Sequence, residues 1–347
     1  MIKGFWKNKK VLITGFNGFK GSWMSLVLNL QQAELYGFSL NNKDNKKNEN
    51  TFKLKKIYKK IFYGDIRNKK KFAKAISFVK PDIVIHLAAQ SLVIESYKNP
   101  LTTFETNFNG LLNLLEICKD KKITHTIVTS DKCYLNKNNK KLFSEDDHLG
   151  GDDPYSASKA IAEILCNSYK TSYNMKICTV RGGNVIGGGD ISQHRIVPDI
   201  INSIFKNKIF KFRNPYQTRP WQHVIDVIWS YLKISELTYK GKTSPQSWNI
   251  APKKSYKNNY VVNQFKKLND FKVMYTKAKF IEKNFLSLNP EKAKEIGIYN
   301  LWNINRSIKE TYDWFNVYYK NKNNTYDFSK KQIETYMNER HKKYSKH

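Results

Sequence analysis

The sequence predicts an α/β protein: a doubly wound parallel sheet followed by a smaller mixed α/β lobe. Three observations carry this. Over the first 180 residues short apolar runs alternate with helix-length amphipathic segments, the rhythm of βα repeats whose sheet is covered on both faces. A glycine-rich turn stands between the first run and the first helix. After Arg181 the rhythm stops, and Gly182, Gly183, Gly187, Gly188 and Gly189 crowd an irregular stretch.

Strands are expected at Val11–Thr14, Leu35–Phe38, Ile61–Tyr63, Ile83–Leu87, Thr126–Thr129 and Ile177–Val180. Helices are expected between them at Phe19–Gln32, Lys69–Val79, Thr102–Lys119 and Pro154–Tyr173. Residues 41–60 form a polar insertion, read as a loop with one short helix. Beyond the glycines come a helix near Val197–Phe205, a strand near Ile209–Arg213 and a helix near Ile225–Leu237. A strand around Trp248–Ala251 and a helix near Ile304–Tyr319 follow. This divides the chain into a sheet domain over 1–180, a second lobe over 181–325 and a polar, helical tail over 326–347. Segments around Arg219–Asp226 are expected to cross back to the first domain.

With 347 residues, 40% of them hydrophobic, the chain can bury a large core. It has no apolar run of 18 residues, so stable membrane insertion is not expected. Cys118, Cys133, Cys166 and Cys178 are scattered without a CxxC pair or histidine spacing suited to a metal, which fits reduced thiols in the cytoplasm and no metal site. The net charge of +32 raises the possibility of a nucleic-acid partner. Its make-up argues against one. Only 7 of the 61 basic residues are Arg, and the lysines are spread among asparagines instead of being gathered on one element.

Gly15-Phe16-Asn17-Gly18-Phe19-Lys20-Gly21 joins the first strand to the first helix. A dinucleotide site needs this arrangement: a glycine to turn tightly, one to let the backbone approach a pyrophosphate, one to let helix and turn pack, and a helix start facing the negative charge. Tyr155 and Lys159 stand four residues apart on an expected helix, so both fall on one face. The ammonium can lower the phenol's pKa from about 10, so that the tyrosine works as a base near neutrality. The fifth strand runs into Ser130-Asp131-Lys132, which adds a hydroxyl, an acid and an amine.

The GxxGxxG spacing and the TyrxxxLys pair resemble the extended branch of the short-chain dehydrogenase/reductase superfamily, which implies a Rossmann-type domain over 1–180 with NAD as cofactor. The resemblance implies cofactor contacts from Asp65 and Ile66 at the end of the third strand, and from Ala88, Ala89 and Gln90 at the end of the fourth. Ser130-Asp131-Lys132-Cys133-Tyr134, Gly183-Asn184-Val185-Ile186-Gly187-Gly188-Gly189-Asp190 and Arg219-Pro220-Trp221-Gln222-His223-Val224 are similar to strings of the CDP-glucose 4,6-dehydratases. In such enzymes Asn184 would touch the substrate's phosphates, and Arg195 and Arg219 would neutralise its diphosphate.

The reaction so implied turns CDP-glucose into CDP-4-keto-6-deoxyglucose. Tyr155 takes the O4 proton with Ser130 hydrogen-bonded to O4; Lys132, if neutral, accepts the C5 proton; Asp131 protonates O6 as water leaves. The resemblance further implies a homodimer or homotetramer and a place in deoxysugar biosynthesis of the lipopolysaccharide O-antigen kind. The alternatives are a sugar-nucleotide epimerase, a dehydratase for another nucleobase or, more distantly, a basic nucleic-acid-binding module. One departure stands out. Folds of this class place an acid after the second strand to hold the adenosine 2′-hydroxyl, and Phe38-Ser39-Leu40-Asn41-Asn42 contains none. Discrimination against NADP is therefore expected to be modest, with Lys20 or Lys43 able to meet a 2′-phosphate.

Overall fold

The computed structural model describes residues 4–244, 246–277 and 282–344. It divides into two compact units, the first comprising 4–135, 145–182 and 228–249, the second 136–144, 183–227 and 250–344.

The first unit is built on β1 (Lys10–Thr14), β2 (Glu34–Ser39), β3 (Tyr58–Tyr63), β4 (Ile83–His86), β5 (Thr124–Val128) and β6 (Lys176–Gly182). The sheet order is β3-β2-β1-β4-β5-β6, with a seventh strand, Ser247–Ile250, beyond β6. β1 pairs in parallel with β2 and β4, and the pairs β2–β3, β4–β5 and β5–β6 are parallel too. Central strands such as Ile83–His86 are buried along their whole length, because crossover helices cover both faces of a parallel sheet. The core formed by Leu12, Phe38, Phe72, Val84, Leu114 and Ile127 lies against one of those faces.

Three expectations needed revision. The insertion carries the expected short helix, α2 (Lys43–Thr51), capped by Asn42, whose side chain accepts from the Asn45 N–H, but β3 starts three residues early at Tyr58. The helix expected over Thr102–Lys119 starts at Pro100 and is interrupted by a π turn at Glu105–Asn109 before resuming over Gly110–Cys118. The domain boundary falls at Gly182, and the later stretch that belongs with the first unit is 228–249 instead of the segment around Arg219–Asp226, because 228–249 supplies the seventh strand.

In the second unit, helices Ile196–Lys206, Asn258–Leu268 and Ile304–Lys320 accompany short strand pairs such as Phe210–Phe212 with Val273–Tyr275. The tail is integrated here. Its helix Thr325–Tyr344 brings Ser329 to the Trp314 indole N–H at 2.8 Å and the Tyr336 hydroxyl to Asp226 at 2.8 Å. Among the described residues no helix is long and apolar enough to cross a membrane.

Candidate active site

β1 delivers the chain into the glycine turn at the C-terminal edge of the sheet, and each glycine answers a different demand. Gly15 has φ +68°, and a Cβ there would lie 2.9 Å from the Ala88 nitrogen. Gly21 sits so close to the turn that a Cβ would lie 2.3 Å from the Gly15 carbonyl oxygen. At Gly18 a Cβ would meet only that same oxygen, at 3.3 Å, and otherwise open space. Gly18 is also the N-cap of α1 (Phe19–Leu30), which has no side-chain cap and no acid in its first turn. An open, uncapped helix start fits an incoming pyrophosphate. Lys20 leans the other way: its Nζ lies 5.7 Å from the Tyr231 ring centroid and near Gly182, at the end of β6.

The neighbouring strand end is tightly braced. Thr14 Oγ1 accepts from the N–H groups of Leu87 and Ala88 and bonds His86 Nδ1 at 2.9 Å. Burial, and then the charge of Lys159, push the His86 pKa down to about 3. The π turn positions Asn107, which accepts from the Gln90 N–H and donates to the Gln90 carbonyl oxygen and to Ser158 Oγ. Asn107 thus ties the Ala88–Gln90 segment to the helix carrying Tyr155; π turns recur at functional sites for such reasons. The sequence carried one clue, a glycine (Gly110) preceded by Asn107 and Asn109 in the middle of the expected helix.

At the end of β5, Ser130 Oγ donates to Asp131 Oδ1 at 2.8 Å and accepts from the Lys132 N–H at 3.2 Å. Ser130 and Asp131 are buried, Lys132 half-buried. The helix Pro154–Tyr173 begins with Asp153 as N-cap and proline in its first turn, a strong local start signal. Tyr155 and Lys159 follow on one face, both buried, and Lys159 Nζ donates to the Val128 carbonyl oxygen at 3.3 Å, bringing the pair to the end of β5. Burial lowers the Lys159 pKa to about 8, against an opposing pull from Glu163.

Glu163, one more turn along, was not anticipated. Its carboxylate meets Arg181 of β6 at 2.8 Å and accepts from the hydroxyls of Thr129, Thr179 and Ser247. Burial alone would raise the Glu163 pKa, but Arg181 and the hydroxyl donors hold it below the usual carboxylate range. Arg181 also donates to the Tyr134 hydroxyl and the Glu145 carbonyl oxygen. This pair locks the Tyr155 helix to β5, β6 and the seventh strand. A glutamate four residues after Lys159 on a buried face was the available signal.

The other expected residues divide. Ile66 is buried, and a Cβ on Gly110 would lie 2.4 Å from it. Asp65 is held in a fork by Arg67 at 2.7 Å, which with its hydrogen bonds lowers the carboxyl pKa. In the second unit, Asn184 accepts from the Gln222 N–H through its carbonyl oxygen, and Arg195 faces Asp190 at 3.5 Å. Arg219 is nearly fully buried. It donates to the carbonyl oxygens of Thr218 and Lys283 and to Gln217 Oε1, and it pairs with Glu282 at 3.4 Å. These contacts tie the Arg219 guanidinium to residues 282 and 283.

A sequence model of the GDP-mannose 4,6-dehydratase family matches residues 12–319. The CDP-glucose 4,6-dehydratase of Salmonella typhimurium is 38% identical over 265 residues, 72% of this chain and 73% of that protein. Among solved structures, the dTDP-glucose 4,6-dehydratase of Bacillus anthracis in complex with NAD superposes with a TM-score of 0.77 at 22% identity, covering 90% of this chain and 97% of the other. The UDP-glucose 4-epimerase of Thermotoga maritima with UDP-glucose gives 0.80 at 20% identity, covering 88% and 98%.

Proposed function

The chain belongs to the GDP-mannose 4,6-dehydratase family, and from that premise we propose that it is a CDP-glucose 4,6-dehydratase using NAD. The observation that carries this reading is the Ser130–Asp131–Lys132 turn at the end of β5, on the strand to which Lys159 ties the Tyr155 helix. The open start of α1 at Gly18 supports cofactor binding through the pyrophosphate at Gly15–Gly21. When bound, NAD supplies a reversible redox partner, oxidising C4 and later reducing C6.

The chain's own residues handle the protons. Tyr155 accepts the O4 proton, assisted by the positive charge of Lys159, while Ser130 holds O4. The 4-keto group then acidifies C5. Lys132, half-buried next to Asp131, takes the C5 proton in its neutral form. Asp131 gives its proton to O6 as water leaves. An epimerase needs no such acid, so Asp131 weighs against that alternative.

The test is incubation with CDP-, dTDP-, UDP- and GDP-glucose, measuring 4-keto-6-deoxy product. CDP-glucose should be turned over best, and Tyr155→Phe should lower kcat by about 10²–10⁴. Preference for another nucleotide would refute the CDP assignment, and absence of product from all four would refute the dehydratase.

A further inference from the structure

The acid missing from the end of β2 has a counterpart elsewhere in the first unit. Glu49, near the end of α2, is the one carboxylate of that helix turned inward, with a side chain 2% exposed. Its Oε2 accepts from Asn17 Nδ2 at 3.3 Å, and its Oε1 accepts from the Tyr63 hydroxyl at 2.6 Å at the end of β3. Asn17 lies inside the glycine turn and is fully buried. Its remaining polar contacts reach the end of β2: Ser39 Oγ donates to Asn17 Oδ1 at 2.6 Å, and Asn17 Nδ2 approaches the Leu40 carbonyl oxygen at 3.4 Å. The polar insertion therefore returns a carboxylate to the tips of β2 and β3, one hydrogen bond from the turn.

We infer that Glu49 is the residue that sets cofactor specificity, disfavouring a 2′-phosphate at the adenosine ribose and holding the turn through Asn17. This rests on the reading of the chain as a nicotinamide enzyme. Folds of this class seat the adenosine ribose at the tip of the second strand. A carboxylate buried there acts through a low dielectric and is little screened by salt. Nearby positive charge competes poorly. Lys43, Lys46 and Lys47 are exposed, and Lys20 is turned towards Tyr231. Lys55 reaches Glu49 at 3.7 Å with a side chain 70% exposed, a contact of the weak surface kind. Glu49 thereby supplies a preference for NAD that the bare β2 end does not.

Direct binding of NAD and NADP, by calorimetry or tryptophan quenching at fixed ionic strength, tests this without reference to turnover. The wild type should bind NAD more tightly by roughly tenfold to a hundredfold, the range a single nearby buried charge produces. Glu49→Gln should bring the two cofactors within about threefold, mainly by improving NADP, while Glu49→Asp keeps most of the preference. Lys55→Gln, at an exposed position that does not threaten the fold, should widen the preference. Equal affinities in the wild type, an unchanged ratio in folded Glu49→Gln, or a narrowed ratio in Lys55→Gln would each overturn the role of Glu49. Failure of the wild type to bind either cofactor would instead remove the nicotinamide reading on which it rests.

Discussion

Glu163 in the first unit and Asp226 in the second are both buried carboxylates that brace their surroundings, and the two are pushed in opposite directions. Glu163 in the first unit lies directly against Arg181 and is held low. Asp226 in the second is pushed up to about 6 by burial, only partly offset by the Leu301 N–H and the Tyr336 hydroxyl, with Arg340 acting more weakly still. Burial is nearly equal. What differs is that Glu163 has a guanidinium in contact, while Asp226 relies mostly on neutral donors. A directly paired cation can outweigh desolvation where hydrogen bonds alone do not. The paired carboxylate belongs to the unit with the proposed chemistry, where it fixes the helix of Tyr155 and Lys159.

The largest effect should come from breaking that pair. Glu163→Ala strands Arg181 as a buried, unpaired charge and should cost about 3–5 kcal/mol in denaturant unfolding. Combining it with Arg181→Met should recover part of the loss; a single-variant cost below about 1 kcal/mol would show that the pair does not hold the strands.

Lys159 should report strain of the opposite sign. Its pKa falls from 10.5 to about 8, so the unfolded chain binds the proton more readily. That penalty is fully present below about pH 8 and fades as pH rises towards 10.5. Lys159→Met should therefore raise cofactor-free stability by about 1–3 kcal/mol at pH 7 while abolishing turnover, with the gain shrinking near pH 10. A destabilised Lys159→Met protein would contradict this.

A graded effect separates the units in acid. His86, His125 and His223 are buried with pKa values lowered to about 3, 4 and 3. For such groups stability is lost as pH falls below the unfolded value near 6.5, at about 1.4 kcal/mol per pH unit each. Two of them lie in the first unit, where Glu163 adds to the loss at lower pH. In the second unit Asp226 opposes His223, because a raised carboxyl contributes stability at low pH that is lost as pH rises from about 4 to 6. Hydrogen exchange between pH 7 and 5 should deprotect β4 and β5 more than the helix Thr325–Tyr344; equal deprotection would remove the distinction.

The smallest change is expected at Asp226. Asp226→Asn relieves a charge that is unfavourable at pH 7 and keeps an oxygen for Leu301 and Tyr336, losing mainly the weaker Trp302 N–H contact. The net effect should stay within about 1 kcal/mol. A loss approaching that of Glu163→Ala would show the two carboxylates to be equivalent after all.

The sequence by itself determined what depends on near neighbours along the chain. Gly15–Gly21 between strand and helix, Tyr155 and Lys159 on one helical face, and Ser130–Lys132 at a strand end follow from the periods of helix and strand, which operate over a few residues. Only the tertiary structure decided what depends on strand order and burial. Glu163 finds Arg181 because β6 lies beside β5. Asn107 reaches Gln90 because the helix takes a π turn. Glu49 reaches Asn17 because the insertion folds back over the sheet tips. Burial likewise separated Lys159 from Lys132 and tied up Arg219. Such pairings join residues 17 to 63 positions apart, and nothing in local spacing states which distant donor will be buried against which acceptor.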